Sequence, residues 1–328
     1  TYEFKRIEQA AYPALATQPA TDVVGAGPFG LAPGQITDDT QMAVCLARSL
    51  VDRDLLDVED VGRRYVAWMD EAFDIGNQTR GSLSRLAEGD RSAGLEVWRR
   101  SEYRAAGNGS LMRTAPIGVA YVGRPLPELL DAAMADSAIT HADPRCMLAC
   151  AAFDAAIAAG VSHGTGARPF AAVELAASML AAARAALTAA ADRLSRAWAN
   201  APANERELVD EARRALESDL DAAASGDPGV YTEQLHVHST AGFVRVALRL
   251  AFWHLVHTPS WRDAVVDVAS RGGDADTNGA IVGALLGARD GASAIPEAWM
   301  LRMLGATQPG SPGWADAHHP RHFLALLR

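Results

Sequence analysis

Apolar residues recur along most of this chain at the three- and four-residue spacing of one helix face. Met42, Leu46 and Leu50 follow that spacing, and an apolar stripe over residues 61–73 does the same. Such stripes predict amphipathic helices packed on a common core. The same pattern predicts further helices over residues 128–137, 145–159, 171–198, 204–223, 241–256, 261–269, 277–288 and 296–304.

Strand-like alternation is limited to Gly118–Gly123, which is short and flanked by Pro116 and Pro125. Proline is poorly tolerated within sheets, so we predict an all-α protein of about ten helices.

Glycine and proline concentrate in three loops, none with the composition of an interdomain linker. The sequence therefore predicts one domain over residues 1–328, with a solvated helix and turn at 199–230. The three loops span residues 17–36, 104–116 and 160–169.

The composition is that of a globular protein, with 49% hydrophobic and 21% charged residues. The formal net charge is -10, and no cluster of Lys and Arg offers a nucleic acid a binding surface. We therefore expect no direct nucleic-acid partner. A polyanionic ligand would have to be held by metal ions or by backbone N–H groups.

Cysteine usage and hydropathy favour a cytoplasmic protein. Cys45, Cys146 and Cys150 lie in apolar helical segments without the spacing of a disulfide framework. No apolar run is expected to reach the roughly 18 residues needed to span a bilayer. We expect a monomer that does not bind membranes.

Two acidic clusters lie about 235 residues apart, and each runs directly into an apolar helical segment. The first is Thr37-Asp38-Asp39-Thr40, and the second is Asp274-Ala275-Asp276-Thr277 after Gly272-Gly273. Together, their carboxylate and hydroxyl oxygens would form a site for hard divalent cations. The alternative for the first cluster is ordinary helix capping by Thr37, with two acids beside the helix dipole.

The helix after the second cluster carries glycines at four-residue intervals, at Gly279, Gly283 and Gly287. Without side chains these positions permit close approach of another backbone. We therefore expect tight packing that holds the acidic end of this helix rigidly.

Several ordered motifs resemble those of the ADP-ribosylglycohydrolases. This family includes the dinitrogenase-reductase-activating glycohydrolase and the ADP-ribosyl-arginine and ADP-ribosyl-serine hydrolases. The matching segments span nearly the whole chain: residues 1–4, 34–42, 74–79, 107–113, 140–144, 272–278, 287–291 and 295–299. Relatives usually carry a glycine-rich helix before the Tyr2-Glu3 position, and that segment is missing from this sequence.

The resemblance implies a compact orthogonal helical bundle around two Mg²⁺ or Mn²⁺ ions. By position, the implied metal ligands are Thr37, Asp38, Asp39, Asp274, Asp276 and Thr277. An all-oxygen set agrees with that choice of metals, because no His and Cys set competes for zinc.

Cleavage of a glycosidic bond also needs a carboxyl group that transfers a proton near the sugar. Glu3 and Asp74 match acidic positions used near the scissile bond in different branches of the family. We predict catalytic roles for Glu3, Asp74 and Asp276, with the proton donor left open. Asp74 has the alternative of capping the turn at Ile75-Gly76, and Glu3 that of a solvated residue.

The resemblance assigns ADP-ribose binding to Gly107, Asn108, Gly109, Ser110, Met112 and His141. Glycines permit close backbone approach, and successive N–H groups form an anion-binding concavity. Taken alone, the segment is also compatible with an ordinary Asn-Gly turn. Arg113 either supports this loop or pairs with core carboxylates.

The function implied is metal-dependent hydrolysis of the bond between ADP-ribose and a modified protein side chain, with arginine favoured. A catalytically idle relative that binds ADP-ribose or serves structurally is the alternative. A metal-dependent phosphohydrolase built on the same clusters is a further one.

Overall fold

The computed structural model describes residues 3–4, 21–164 and 172–327. Thr1, Tyr2, the first part of the 17–36 loop and much of the 160–169 connection lie outside the described residues. The described chain forms fourteen α-helices: α1 Asp38–Arg53, α2 Val58–Met69, α3 Asn77–Ala87, α4 Ala93–Arg100, α5 Ala115–Ala120, α6 Leu126–Thr140, α7 Pro144–Gly164, α8 Ala172–Ala197, α9 Ala203–Ala222, α10 Val244–His257, α11 Trp261–Ser270, α12 Ala275–Asp290, α13 Glu297–Gly305 and α14 Pro312–Ala317. Two 3₁₀ helices span Ala292–Ala294 and Pro320–Leu327.

The all-α prediction is confirmed, because residues 3–4, 21–164 and 172–327 contain no β-strand. Gly118–Gly123, the one strand-like segment, completes α5 and the turn after it. Among the described residues, β-type pairing is limited to isolated bridges. One of them joins Gly107 to Phe243, in two loops that are far apart in the chain.

Helix α7 occupies the centre of the fold, where it packs against α5, α6, α8, α9, α10 and α12. Its buried side chains include Ala149, Ala151, Ala152 and Phe153. Small side chains at successive positions allow neighbouring helices to approach closely, while alanine favours the helix itself. This packing provides a rigid frame for the ends of the surrounding helices.

Two helices are long and apolar enough to cross a membrane when only length and composition are considered. They are Pro144–His163 within α7, 72% of whose most apolar window is buried in the protein, and Ala172–Ala197 (α8), with 33% buried. The core helices of soluble proteins pass the same test.

Helix α9 lies within the 199–230 segment and is less solvated than predicted. Its inner face buries Val209 and Leu216 together with the carboxylates of Glu205 and Asp219. Asp219 accepts hydrogen bonds from the guanidinium groups of Arg245 and Arg249. The charged face of α9 therefore includes anchoring ion pairs as well as exposed residues.

The glycine stripe of α12 does not receive another backbone as predicted. No heavy atom of the described residues, apart from α12's own backbone and each glycine's chain neighbours, lies within 4 Å of a Cβ built on Gly279. At Gly283 the nearest neighbour is the Trp261 side chain, whose Nε1 donates to the Gly283 carbonyl at 2.8 Å. The stripe therefore makes room for an indole ring.

Candidate active site

The first acidic cluster stands at the N-terminus of α1. Thr37 is the N-cap residue in extended conformation, but its side chain makes no capping hydrogen bond. The Thr37 hydroxyl instead donates to Asp39 Oδ2 at 2.7 Å. Asp38 and Asp39 are both buried, and the Asp39 N–H donates to Asp38 Oδ1 at 3.1 Å. The capping alternative for Thr37 is therefore not realised, because its hydroxyl belongs to the acidic cluster.

The second cluster stands at the N-terminus of α12 and requires the two glycines before it. Gly272 and Gly273 have φ values of +72° and +66°, in the left-handed region. A Cβ at Gly273 would lie 2.0 Å from the Val237 carbonyl oxygen. Only glycine fits there, and this contact fixes the turn that delivers Asp274.

Asp274 and Asp276 face the first cluster from this turn. Asp274 is the N-cap residue of α12 without a capping side-chain bond, and its Oδ2 accepts from Asn108 Nδ2 at 2.7 Å. Asp276 Oδ1 accepts from the Thr277 N–H at 2.9 Å. The segment Gly107-Asn108-Gly109-Ser110, called the glycine loop below, is therefore directly connected to the second acidic cluster.

The six side chains proposed as metal ligands converge. Thr277 stabilises the ionised form of Asp39, and Thr37 stabilises that of Asp276, across the gap between α1 and α12. Burial, followed by the charge of Asp39, raises the pKa of Asp38, and Asp274 and Asp276 lie close enough to add to that effect. The fold thus joins the two clusters into one acidic centre, comprising Thr37, Asp38, Asp39, Asp274, Asp276 and Thr277.

Glu3 and Asp74 lie at the edge of this acidic centre. One carboxylate oxygen from each of Glu3, Asp74 and Asp276 lies within 4.8 Å of the other two. Both Glu3 and Asp74 are half-buried, so Glu3 is not a freely solvated residue. Helix α3 has Gly76 as its N-cap residue and no capping side-chain bond, so the capping alternative for Asp74 is not observed.

Burial and mutual repulsion raise the pKa values of these carboxyl groups. Burial is the larger cause for Glu3, whose pKa rises to about 8, and for Asp74, whose pKa rises to about 7. Burial, followed by the charge of Asp276, raises the pKa of Asp274 to about 6. Among the described side chains, no Lys or Arg pairs with any carboxylate of the group. Within the described residues, therefore, no paired cationic side chain offsets the charge of the centre.

One carboxylate oxygen in the acidic centre indicates whether these residues suit a metal ion. Asp39 Oδ1 is buried and has no hydrogen-bond partner in the described structure. Buried carboxylate oxygens normally have a donor or a cation beside them. The unpaired oxygen and the all-oxygen set of neighbours fit a hard divalent cation.

A cavity of roughly 270 Å³ extends from the acidic centre towards the glycine loop. Glu3, Asp74 and Asp276 line one part of its wall, while Gly107, Gly109 and His141 line another. A second cavity of roughly 350 Å³ borders Asp39 and Asp276 and is lined mainly by residues 22–37. The first cavity combines an acidic centre with amide and imidazole groups, so it is the better candidate for a polar ligand.

Two N–H groups of the glycine loop, predicted to be available to a ligand, instead form hydrogen bonds within the protein. The Gly107 N–H donates to Gln78 Oε1 at 3.1 Å, and the Asn108 N–H donates to the Gly242 carbonyl at 2.8 Å. These two N–H groups are therefore engaged within the protein. A ligand contact through successive N–H groups stays a prediction for Gly109 and Ser110.

Ser110 and Met112 differ in their relation to the cavity. The Ser110 side chain is fully buried, where its hydroxyl contacts Ser137 Oγ at 2.9 Å and Cys150 Sγ at 3.5 Å. It is not among the residues that line the cavity, whereas Met112 is. A contact between Ser110 and a ligand would therefore involve its backbone.

Gly109 is adjacent to the His141 ring. A Cβ at Gly109 would lie 2.8 Å from His141 Cε1, closer than carbon atoms pack. We expect Gly109→Ala to cost about 1–3 kcal/mol in the free energy of unfolding, the usual range for overpacking. Denaturant unfolding measures the effect. Gly313→Ala is the control, because a Cβ there meets no atom within 4 Å. Equal stabilities for the two variants would contradict this contact.

Arg113 lies behind the glycine loop and is fully buried. Its Nε lies 3.1 Å from Asp136 Oδ2, and its guanidinium stacks over the Tyr65 ring at 4.4 Å from the centroid. Tyr65 also donates its hydroxyl hydrogen to Asp136 Oδ1 at 2.8 Å. The pairing with a core carboxylate is thus observed, and Arg113 also touches the loop through the Gly109 carbonyl at 3.4 Å.

Several cavity residues were not predicted as site residues. Gln78 and Thr79 belong to a segment quoted for the family resemblance, which was the available signal. Ala241 and Gly242 carry no functional group, and Gly242 acts through its backbone carbonyl. Phe4, 64% exposed, also lines the cavity and donates its N–H to the Gly273 carbonyl.

Several known proteins resemble this chain over most of its length. A 283-residue alignment with the ADP-ribosyl-[dinitrogen reductase] glycohydrolase of Rhodospirillum rubrum is 28% identical and covers 86% of this chain and 78% of that protein. An ADP-ribosylarginine hydrolase of Serratia proteamaculans (strain 568) is 26% identical over 291 residues, which are 86% of this chain and 67% of the relative. A solved structure described as an ADP-ribosylglycohydrolase-related protein complex superposes with a TM-score of 0.63 at 26% identity, covering 97% of this chain and 92% of that one.

The family model for ADP-ribosylglycohydrolase matches residues 1–317, almost the whole chain. That span includes both acidic clusters and the glycine loop. The protein therefore belongs to the ADP-ribosylglycohydrolase family.

Proposed function

We propose that this protein hydrolyses the glycosidic bond between ADP-ribose and a modified protein side chain, with arginine as the favoured acceptor. The observation that carries the proposal is the acidic centre at one end of a cavity whose other end is the glycine loop. Membership of the family supports a glycohydrolase activity, and one relative is named as an ADP-ribosylarginine hydrolase.

The proposal includes two divalent cations, Mg²⁺ or Mn²⁺, at the acidic centre. Its unpaired Asp39 oxygen and, among the described side chains, the absence of a Lys or Arg partner support this assignment. Bound there, the cations would supply Lewis-acid chemistry, polarising oxygen atoms of the substrate and of water and orienting them at the reacting bond. The ligands would be Thr37, Asp38, Asp39, Asp274, Asp276 and Thr277.

The protein's own side chains would bind the substrate and transfer a proton. Glu3 and Asp74 stand within 4.8 Å of Asp276 at the cavity wall, where either carboxyl group can exchange a proton with the leaving group or with water. At the other end, Gly109 and His141 would contact the diphosphate of ADP-ribose. Carboxylates around the reacting end also favour a guanidinium acceptor over a neutral one.

The decisive experiment measures release of ADP-ribose from arginine-modified and serine-modified proteins, with and without Mg²⁺ or Mn²⁺. We expect release from the arginine linkage that depends on the cation and is lost in Asp276→Asn. Binding of ADP-ribose without release from either linkage would favour the idle relative. Release of phosphate from nucleotides would favour a phosphohydrolase.

The stability of the metal-free protein should depend on pH through the Glu3 carboxyl group. The Glu3 pKa is about 8 in the folded protein and 4.5 in an ordinary environment. Folding is therefore favoured by Glu3 at low pH, and this contribution is lost as the pH rises from about 4.5 to about 8. In EDTA, we expect Glu3→Gln to melt higher than wild type at pH 8, with little difference at pH 4.5.

Thermal melts at both pH values test this prediction. Divalent cations should raise the melting temperature of wild type more at pH 8 than at pH 4.5, because ligand carboxylates bind metal only when ionised. A wild-type melting temperature that does not change with added cations at pH 8 would contradict the proposed metal centre.

A further inference from the structure

Three buried side chains form a continuous chain of contacts from the core to the cavity. Arg113 Nη1 donates to Thr140 Oγ1 at 2.8 Å, and Thr140 Oγ1 lies 2.8 Å from His141 Nδ1. Arg113 and Thr140 have no exposed surface, and His141 is 2% exposed. The contacts are thus shielded from bulk water. Each polar hydrogen atom of the three side chains that takes part in them must therefore find its acceptor within the protein.

The available hydrogen atoms decide which group donates in the contact between Thr140 and His141. A guanidinium group only donates, so Thr140 Oγ1 accepts from Arg113 and still has one hydrogen of its own to place. Among the described residues, His141 Nδ1 is the one hydrogen-bond partner of the Thr140 hydroxyl that could accept this hydrogen. If Nδ1 carried the proton, the hydroxyl would receive two donors and its own hydrogen would be buried without an acceptor, which is costly. Thr140 therefore donates to Nδ1.

With Nδ1 as an acceptor, the proton of the neutral ring is on Nε2. The ring stays neutral because burial, followed by the charge of Arg113, lowers the pKa of His141 well below its ordinary value. Nε2 lies on the ring edge that faces the glycine loop, 3.0 Å from the position of a Cβ on Gly109 and 3.3 Å from one on Gly107. His141, Gly107 and Gly109 all line the cavity.

We propose that Arg113 and Thr140 are positioning residues that fix His141 as the Nε2–H tautomer, so that the ring offers the cavity one immobile, uncharged N–H donor. An acceptor oxygen of ADP-ribose would receive this hydrogen bond, and the identity of that ligand rests on the proposed function. A neutral donor suits this position because a charged imidazolium beside the buried Arg113 guanidinium would be repelled.

The tautomer is measured directly by two-bond ¹H–¹⁵N correlation spectra of the ¹⁵N-labelled protein without ligand. We expect the Nδ1 shift of an unprotonated nitrogen and the Nε2 shift of a protonated one, unchanged between pH 6 and pH 8. In Thr140→Val, which keeps the shape of the side chain but removes the hydroxyl, both tautomers should become populated. Thr140→Ser should restore the wild-type spectrum.

Binding of ADP-ribose gives a second readout. We expect Thr140→Val to weaken binding roughly two- to tenfold, since only the Nε2–H fraction is competent to donate. Thr140→Ser should bind as wild type does. Thr188→Val, the same change at an exposed site on α8 whose hydroxyl bonds only the Arg184 carbonyl, should alter neither readout.

Two results would overturn the positioning role: a protonated Nδ1 in wild type, or a pure Nε2–H tautomer in Thr140→Val. Should Thr140→Val fail to fold, the spectra of wild type and Thr140→Ser still decide between the tautomers. Failure of wild type to bind ADP-ribose would refute the proposed function while the tautomer measured without ligand stood unaffected.

Discussion

Asp39→Asn should slow hydrolysis by about 100-fold or more while leaving the metal-free protein at least as stable as wild type. Asp39 is buried, and burial together with the charge of Asp276 raises its pKa well above the ordinary value. Folding wild type at pH 8 without cations therefore requires a proton or an unfavourable charge at this carboxyl. An amide removes that cost, and its oxygen can still accept from the Thr37 hydroxyl.

The same substitution removes the oxygen that has no protein partner, Asp39 Oδ1. Because bound cations contribute several kcal/mol to stabilising a transition state, we expect the rate to fall by about 100-fold or more. The measurements are ADP-ribose release with Mn²⁺ and melting temperature in EDTA at pH 8. Asp52→Asn on the exposed side of the same helix is the control and should change neither. A parallel loss of activity and metal-free stability in Asp39→Asn would indicate a purely structural role.

Asp136→Ala should cost about 3–5 kcal/mol in the free energy of unfolding, because it leaves the Arg113 charge buried without its partner. Arg113 and Asp136 both have side chains with no exposed surface. The Tyr65 hydroxyl, which donates to Asp136, would lose its acceptor as well. Denaturant unfolding of the variant gives the magnitude.

A control and a double variant separate the buried pair from the helix that carries it. Asp131 lies on the same helix, α6, and forms an exposed ion pair with Arg193, so Asp131→Ala should have a small effect. Arg113→Met in the Asp136→Ala background removes the unpaired charge and should recover part of the lost stability. Equal losses for Asp131→Ala and Asp136→Ala would contradict a buried pair as the source.

The acidic centre could be predicted because its residues carry both the helix signal and the chemistry. Asp38 and Asp39 precede an apolar periodic segment, and Asp274 and Asp276 follow two glycines, so local patterns placed both clusters at helix N-termini. Their convergence followed from the family resemblance, since nothing local in the sequence relates α1 to α12.

Other elements were missed for identifiable physical reasons. Helix α3 buries few apolar side chains, with Leu83 as its main core contact, so its periodicity is weak. Helix α5 contains Pro116 and Gly118, which read as turn residues. Gly242 contributes a backbone carbonyl oxygen. Any residue type could supply this oxygen, so the sequence does not reveal the contact. The catalytic roles of Glu3 and Asp74 stay predictions.

The two halves of the acidic centre come from α1 and α12, about 235 residues apart in the chain. Closing so long a loop carries a large entropic cost, and the carboxylates that meet there repel one another. The remaining helices must therefore hold α1 and α12 in place before the centre can form. The cations proposed for this centre would therefore bind late, only after the other helices have brought α1 and α12 together.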